Sequence, residues 1–113
     1  VIEPTVSQFT VEDRVAWIIL DRPDAMNALN PDLRWELSQH LDEVERRDDI
    51  WVVVITGAGE RAFCAGADLK HRAIERDATA EQKDTWARMD KETLPLNERW
   101  YFPKPVIAMV NGF

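Results

Sequence analysis

The stretch Phe63-Cys64-Ala65-Gly66-Ala67-Asp68-Leu69-Lys70 holds residue types suited to chemistry at the backbone. Its small side chains let a ligand approach the main chain closely. Asp68 is a good helix N-cap. A short helix from there through Lys70 and Ile74 would turn nearby N–H groups toward an anion or a polarised oxygen. The plainer alternative is a tight loop with an ordinary cap. Two other segments have motif-like spacing. Leu20-Asp21-Arg22-Pro23-Asp24-Ala25-Met26-Asn27-Ala28-Leu29 reads as a strand end, a Pro-bearing polar turn and a helix start. Lys104-Pro105-Val106-Ile107-Ala108-Met109-Val110-Asn111-Gly112 reads as a core strand ending in an Asn-Gly turn.

Competing chemistries fit less well. Cys64 is the only cysteine, so it makes no internal disulfide, and a reducing, cytoplasmic setting is the default expectation. Between Phe63 and Ala65 it suits a small packing residue better than the nucleophile of a Cys–His pair. The two histidines, His40 and His71, lie far apart and give no metal-ligand spacing, so no metal site is expected. Gly57-Ala58-Gly59-Glu60-Arg61-Ala62 follows an apolar run and matches the dinucleotide fingerprint, which raises an NAD-binding Rossmann enzyme as a rival. That rival requires a helix opening at the glycines and an acid closing a second strand. Asp77 and Glu81 stand at about the right distance, yet residues 71–80 have no strand character. Glu75, Asp77 and Glu81 therefore read as solvated charges.

The elements that must position these segments follow from pattern. Val6–Val11 and Val15–Leu20 read as strands joined in a hairpin through Glu12-Asp13-Arg14. Asn30 and Pro31 open a helix over 31–46, with Leu33, Leu37, Leu41 and Val44 on one face. Residues 51–56 form the clearest strand. Thr79 and Gln82 fit a capping box for a helix over 80–101, which Pro95 should kink or restart. Within it Trp86, Met89 and Trp100 sit at helical spacing and read as core, or as the lining of a pocket. Residues 106–110 form a last buried strand. The order β-β-α-β-loop-α-β is that of an α/β chain.

Composition bounds the partners. With 113 residues, 45% apolar and 31% charged, the chain suits one small folded domain rather than a disordered one. A net charge of −7 excludes the broad basic patch that nucleic acid or an anionic membrane would need. A phosphate-bearing cofactor is still compatible, because a few local cations and backbone N–H groups suffice. No apolar run is long enough to cross a bilayer, and Val1-Ile2-Glu3-Pro4 has no signal-peptide character.

Taken together, in order and spacing, the three segments resemble the enoyl-CoA hydratase/isomerase (crotonase) family. Arg22-Pro23 with Asn27-Ala28-Leu29, the loop from Phe63 to Lys70, and the strand from Lys104 to Gly112 each match its motifs. The resemblance runs from Val11 onward, with 71–103 as its variable part. It implies a crotonase-like ββα spiral, of which residues 1–113 are the N-terminal part of a single domain. It also implies enoyl-CoA hydration, with coenzyme A as part of the substrate and no covalently bound cofactor. The Ala67 backbone N–H is then one of two donors to the thioester oxygen. Ala65, Asp68, Leu69 and Lys70, with Arg22, Ala25 and Met26, line the coenzyme A site. Asp24 stands where many members carry a basic residue, and an acid there does not help phosphate binding. The second donor and the catalytic carboxylates are expected beyond Phe113, so the segment alone should be inactive and poorly soluble. Isomerase, hydratase-lyase and thioester hydrolase reactions, and a non-catalytic acyl-CoA-binding module, are the alternatives. Family members commonly form trimers or hexamers.

Overall fold

A computed structural model describes residues 2–113. Its sheet has four strands in the order β1-β2-β3-β4: β1 Ser7–Glu12, β2 Val15–Leu20, β3 Val52–Gly57 and β4 Val106–Ala108. β1 and β2 are antiparallel, while β2–β3 and β3–β4 are parallel. The hairpin turns at Asp13 and Arg14, both with positive φ (50° and 68°). Two successive left-handed residues match the right-handed twist of the strands they join. The Arg14 guanidinium also lies 4.4 Å from the centroid of the Trp51 ring.

Helix α1 (Pro31–Arg46) connects β2 to β3. The Asn30 side chain accepts from the Leu33 N–H at its start, and Pro31 occupies the first turn. Its Leu33, Leu41 and Val44 are fully buried against Ala16, Ile18 and Val53. Complete burial of such side chains is worth about 1.5–3 kcal/mol each. In β2, Ala16, Ile18 and Leu20 are buried while Val15, Trp17 and Ile19 are only half-buried. An apolar strand thus presents one face to α1 and leaves the other less covered. At the far end of α1, the Lys104 ammonium donates to the carbonyls of Val44 and Arg47, both at 2.5 Å. A cation on the last turn satisfies carbonyls that lack helical partners.

The second half departs from the expected single helix over 80–101. A short helix α2 (Leu69–Arg76) precedes α3 (Ala80–Glu92), and the Thr79–Gln82 capping box is present. α3 ends ahead of Pro95, which has no N–H to donate and disfavours helical backbone at Leu94. The Leu94 N–H goes instead to Ser38 Oγ (2.9 Å), and a 3-10 turn covers Leu96–Glu98. Arg99 then reaches inward to Ser38 O (3.1 Å), Leu94 O (2.9 Å) and Asp42 (2.8 Å). Trp100 is therefore not a core residue of a continuous helix; it is 85% exposed. The last strand is shorter than 106–110 and mostly exposed rather than buried.

A buried polar cluster fixes the start of the chain to α1. Glu36 accepts from the N–H groups of Thr5 and Val6 and from Ser7 Oγ (2.6 Å). Having given its one proton to Glu36, the Ser7 hydroxyl accepts from His40 Nε2, 2.7 Å away. The His40 ring stacks on Phe9 at 4.9 Å. Burial pushes the His40 imidazole below its ordinary value of 6.5, and the Glu36 charge only partly opposes this. The unfolded chain therefore takes up that proton first as pH falls. The associated stability is complete above about pH 6.5 and is lost as pH drops through the lower folded pKa. Denaturant unfolding of wild type and His40→Gln across pH 4.5–7.5 (roughly the range bracketing this titration) should show a weaker acid loss in the variant. Equal slopes would remove His40 as the cause.

Candidate functional site

The turn after β2 is built on strained backbone. Met26 and Asn27 both have positive φ (53° and 54°). Left-handed backbone costs about 1–2 kcal/mol for a residue with a Cβ. The Asn27 side chain, fully buried, supplies the compensation. Its Oδ1 accepts from the Arg22 N–H at 2.8 Å, and its Nδ2 donates to Ala62 O (2.9 Å) and Ala58 O (3.1 Å). One amide thus closes the turn on itself and ties it to the loop after β3. Nothing in its spacing marks Asn27 for this; the signal available was an amide inside a motif where a polar side chain must find buried partners.

Gly57 is required by close approach. A Cβ there would stand 2.5 Å from Phe63 O and 2.7 Å from Asn27 Nδ2. Asn111 reaches the same point from beyond β4: its Nδ2 donates to Gly57 O (2.9 Å) and Gly59 O (3.2 Å), and its Oδ1 accepts from Gly57 N–H (3.2 Å). The dinucleotide-like stretch is therefore held by two asparagines, Asn111 on Gly57 and Gly59 and Asn27 on Ala58 and Ala62, and no helix begins until Leu69. This removes the Rossmann reading. Asn111 acts through its side chain, beyond the Asn-Gly turn that its sequence suggests.

The loop from Phe63 to Asp68 is laid against the turn at 22–29. The N–H groups of Phe63 and Cys64 donate to Phe113 O, and Ala65 N–H donates to Met26 O at 3.0 Å. Leu29 N–H donates to Gly66 O (2.7 Å), and Asp68 N–H to Leu29 O (3.2 Å), forming a parallel bridge between Leu29 and Ala67. In a trans peptide the C=O and the following N–H point in opposite directions. Because Gly66 O faces Leu29, the Ala67 N–H faces away from it. Among the described residues it donates to no protein acceptor. Ala67 itself is exposed.

Asp68 divides its carboxylate. Oδ1 accepts from the N–H groups of Lys70 (3.0 Å) and His71 (3.1 Å) and caps α2, as its position predicts. Oδ2 pairs with the Arg22 guanidinium at 2.9 Å, and the other Arg22 nitrogen donates to Ala28 O at 2.5 Å. Burial pushes the Asp68 carboxyl up, but the Arg22 hydrogen bond and charge, with the two N–H donors, outweigh it and hold it below the usual carboxylate range.

The structure thus joins Arg22 to Asp68 and Met26 to Ala65, with Ala25 on the same turn. Leu69 and Lys70 lie exposed on the first turn of α2. A cavity of about 110 Å³ opens beside Ala67, lined among others by His71, Trp86, Arg34 and Asp90. His71 meets Trp86 edge-on at 4.5 Å, and its Nε2 is buried with no hydrogen-bond partner among the described residues. Trp86 is thereby placed at the candidate site. His40 is committed to Ser7 and Phe9, so it is no base for Cys64. Among the described residues no group of His, Cys, Asp and Glu is arranged to hold a metal ion, and no helix is long and apolar enough to cross a membrane.

Comparison with known proteins bears on this geometry. Residues 10–113 match the enoyl-CoA hydratase/isomerase family. The chain is 38% identical to the (E)-benzylidenesuccinyl-CoA hydratase of Thauera aromatica, over 91% of its own length and 38% of that relative. It is 40% identical to the 1,2-epoxyphenylacetyl-CoA isomerase of Escherichia coli, over 90% of its own length and 38% of the relative. The chain therefore spans less than two-fifths of the length of either relative. Among solved structures, an enoyl-CoA hydratase/isomerase from Xanthobacter autotrophicus superposes with a TM-score of 0.77 at 31% identity, over 97% of this chain and 40% of that one. With residues 10–113 matched by the family and nearly all of the chain superposed on a solved relative, this chain belongs to the enoyl-CoA hydratase/isomerase family and carries the crotonase fold.

Proposed function

We propose that this chain is the N-terminal part of a crotonase-like domain in an acyl-CoA enzyme, and that the reaction is addition of water to a 2-enoyl-CoA. One observation carries the reading: the Ala67 N–H is turned outward by the bridge to Leu29 and meets no protein acceptor among the described residues. A thioester carbonyl placed there accepts that hydrogen bond. When water attacks the β-carbon, the carbonyl oxygen becomes enolate-like and negative. A fixed donor then stabilises the transition state more than the ground state. The role belongs to the backbone, so it asks only that the side chain be small. The relative named as an isomerase supports a second reading, movement of a double bond or ring within the same enolate chemistry.

The surrounding residues fit a coenzyme A thioester. Ala25, Met26 and Ala65 offer small or flexible side chains around the Met26–Ala65 hydrogen bond. Leu69 and Lys70 extend that surface, and Lys70 supplies a cation for a phosphate. Arg22 and Asp68 complete the surface, with their charges turned toward each other. The acyl group enters the cavity between Ala67 and Trp86. The second oxyanion donor and the carboxylate that activates water come from segments outside residues 1–113. The relatives' greater length leaves room for them. A single cysteine suits a reducing compartment such as the cytoplasm.

Three measurements on the complete protein test this reading. Replacing Ala67 by Pro deletes one donor, and kcat for crotonyl-CoA hydration should fall about a hundredfold or more. Near-normal turnover in a folded Ala67→Pro protein would defeat the assignment. Lys70→Ala should weaken coenzyme A binding, chiefly at low salt where an exposed charge is least screened; affinity unchanged at low ionic strength counts against that contact. We also place the complete protein in a trimer or hexamer, as its resemblance to the family implies. Light scattering that finds a monomer at micromolar concentration would refute this.

A further inference from the structure

We propose that Arg22 and Asp68 are positioning residues that aim the Ala67 N–H, and that their charges serve this purpose rather than the binding of coenzyme A. The inference rests on the function proposed above. It starts from a mechanical weakness. The donor sits on the Gly66–Ala67 peptide, and Gly66 is the point where that peptide could swing. Gly66 has a φ of +93°, and among the described residues no heavy atom other than those of its chain neighbours lies within 4 Å of where its Cβ would be. Packing therefore does not hold this residue. What holds the peptide plane is the hydrogen bond from Leu29 N–H to Gly66 O and its companion from Asp68 N–H to Leu29 O. Both depend on the loop and the turn keeping their register.

The Arg22 guanidinium clamps both members of that register. One nitrogen holds Ala28 O, in the residue just before Leu29; the other holds Asp68 Oδ2, in the residue just after Ala67. The two side chains are largely withdrawn from solvent, at 18% and 11% exposed, so the pair is screened less than a surface ion pair. Asp68 Oδ1 meanwhile binds the first N–H groups of α2. The carboxylate is therefore gripped from the helix side and the turn side. The Ala67 peptide lies between fixed points. Arg22 itself is set by the bond from its own N–H to Asn27 Oδ1. With these bonds in place, the Arg22 charge is not spare for a phosphate.

The test uses the complete protein with crotonyl-CoA, comparing wild type, Arg22→Met, Asp68→Asn and the double variant. Asp68→Asn retains one side-chain oxygen for the α2 cap and loses both the charge and the second acceptor oxygen that Arg22 uses. A loosened donor should lower kcat about ten- to a hundredfold, since small misplacements at a reacting centre have effects of that size. KM should change less than about threefold, because a binding contact is not what is lost. The double variant should be no slower than the worse single one, as expected for two groups acting through one contact. The carbonyl stretch of isotope-labelled butyryl-CoA, bound but unreactive, should shift toward its free value in both single variants. A merely structural role would leave that band in place. A rise in KM at constant kcat would overturn the proposal and return both charges to coenzyme A binding. So would additive losses, or an unshifted carbonyl band. Ala67→Pro separates this idea from its premise: if that variant is inactive while Arg22→Met and Asp68→Asn turn over normally, only the positioning role fails. If Ala67→Pro turns over normally, the functional reading falls first.

Discussion

The pair of backbone hydrogen bonds joining Leu29 to Gly66 and Asp68 decides which way the Ala67 peptide faces, and most of the surrounding structure serves that pair. A peptide group has no side chain with which to select its direction. Its orientation comes from the partner of its carbonyl, which in turn needs a rigid strand-like edge at Leu29. That edge exists because Asn27 locks a turn with two left-handed residues. The turn reaches the loop because Gly57 has no Cβ to keep Phe63 and Ala62 away. Small residues at Ala65, Gly66 and Ala67 leave the outer side of the loop open. A donor aimed this way is preorganised: no side-chain rotamer must be frozen when a carbonyl oxygen arrives.

The sheet and α1 form the platform for this device. α1 buries Leu33, Leu41 and Val44 on β2 and β3, which ends β3 at Gly57 beside the turn. Lys104 on the carbonyls of α1 and Asn111 on Gly57 bring the last segment alongside. The far side differs. Ile107, Met109, Val110 and Phe113 are exposed, as are Trp100 and Tyr101. The chain matches about two-fifths of the length of the solved relative.

Elements with strong local codes were legible from the residues alone. Asn30-Pro31 starts α1 because an amide cap and a proline satisfy the same orphan N–H groups in any protein. Thr79 with Gln82, and Asp68 before α2, read correctly for the same reason. The hairpin at Asp13-Arg14 followed from a polar break between a loosely alternating segment and an apolar run. Spacing failed where a tertiary contact competes with it. Leu96 and Trp100 continue the period of α3, yet Pro95 breaks the helix, and Ser38 captures both the Leu94 N–H and the Arg99 guanidinium. The last strand reads as buried from its composition, whereas burial depends on which layers are present.

The sequence by itself determined the chemistry on offer: a small-residue loop, a capping aspartate, an Arg-Pro turn and a net acidic chain with no broad basic surface. Those follow from side-chain size, charge and capping, which are local properties. Tertiary structure alone decided that Arg22 spends its charge on Asp68, that Asn27 and Asn111 hydrogen-bond the backbone of the glycine fingerprint, and that the Ala67 N–H points outward. Each of these joins residues 35 to 54 positions apart. A hydrogen bond is set by distance and angle, and neither is defined between distant residues until the chain has folded.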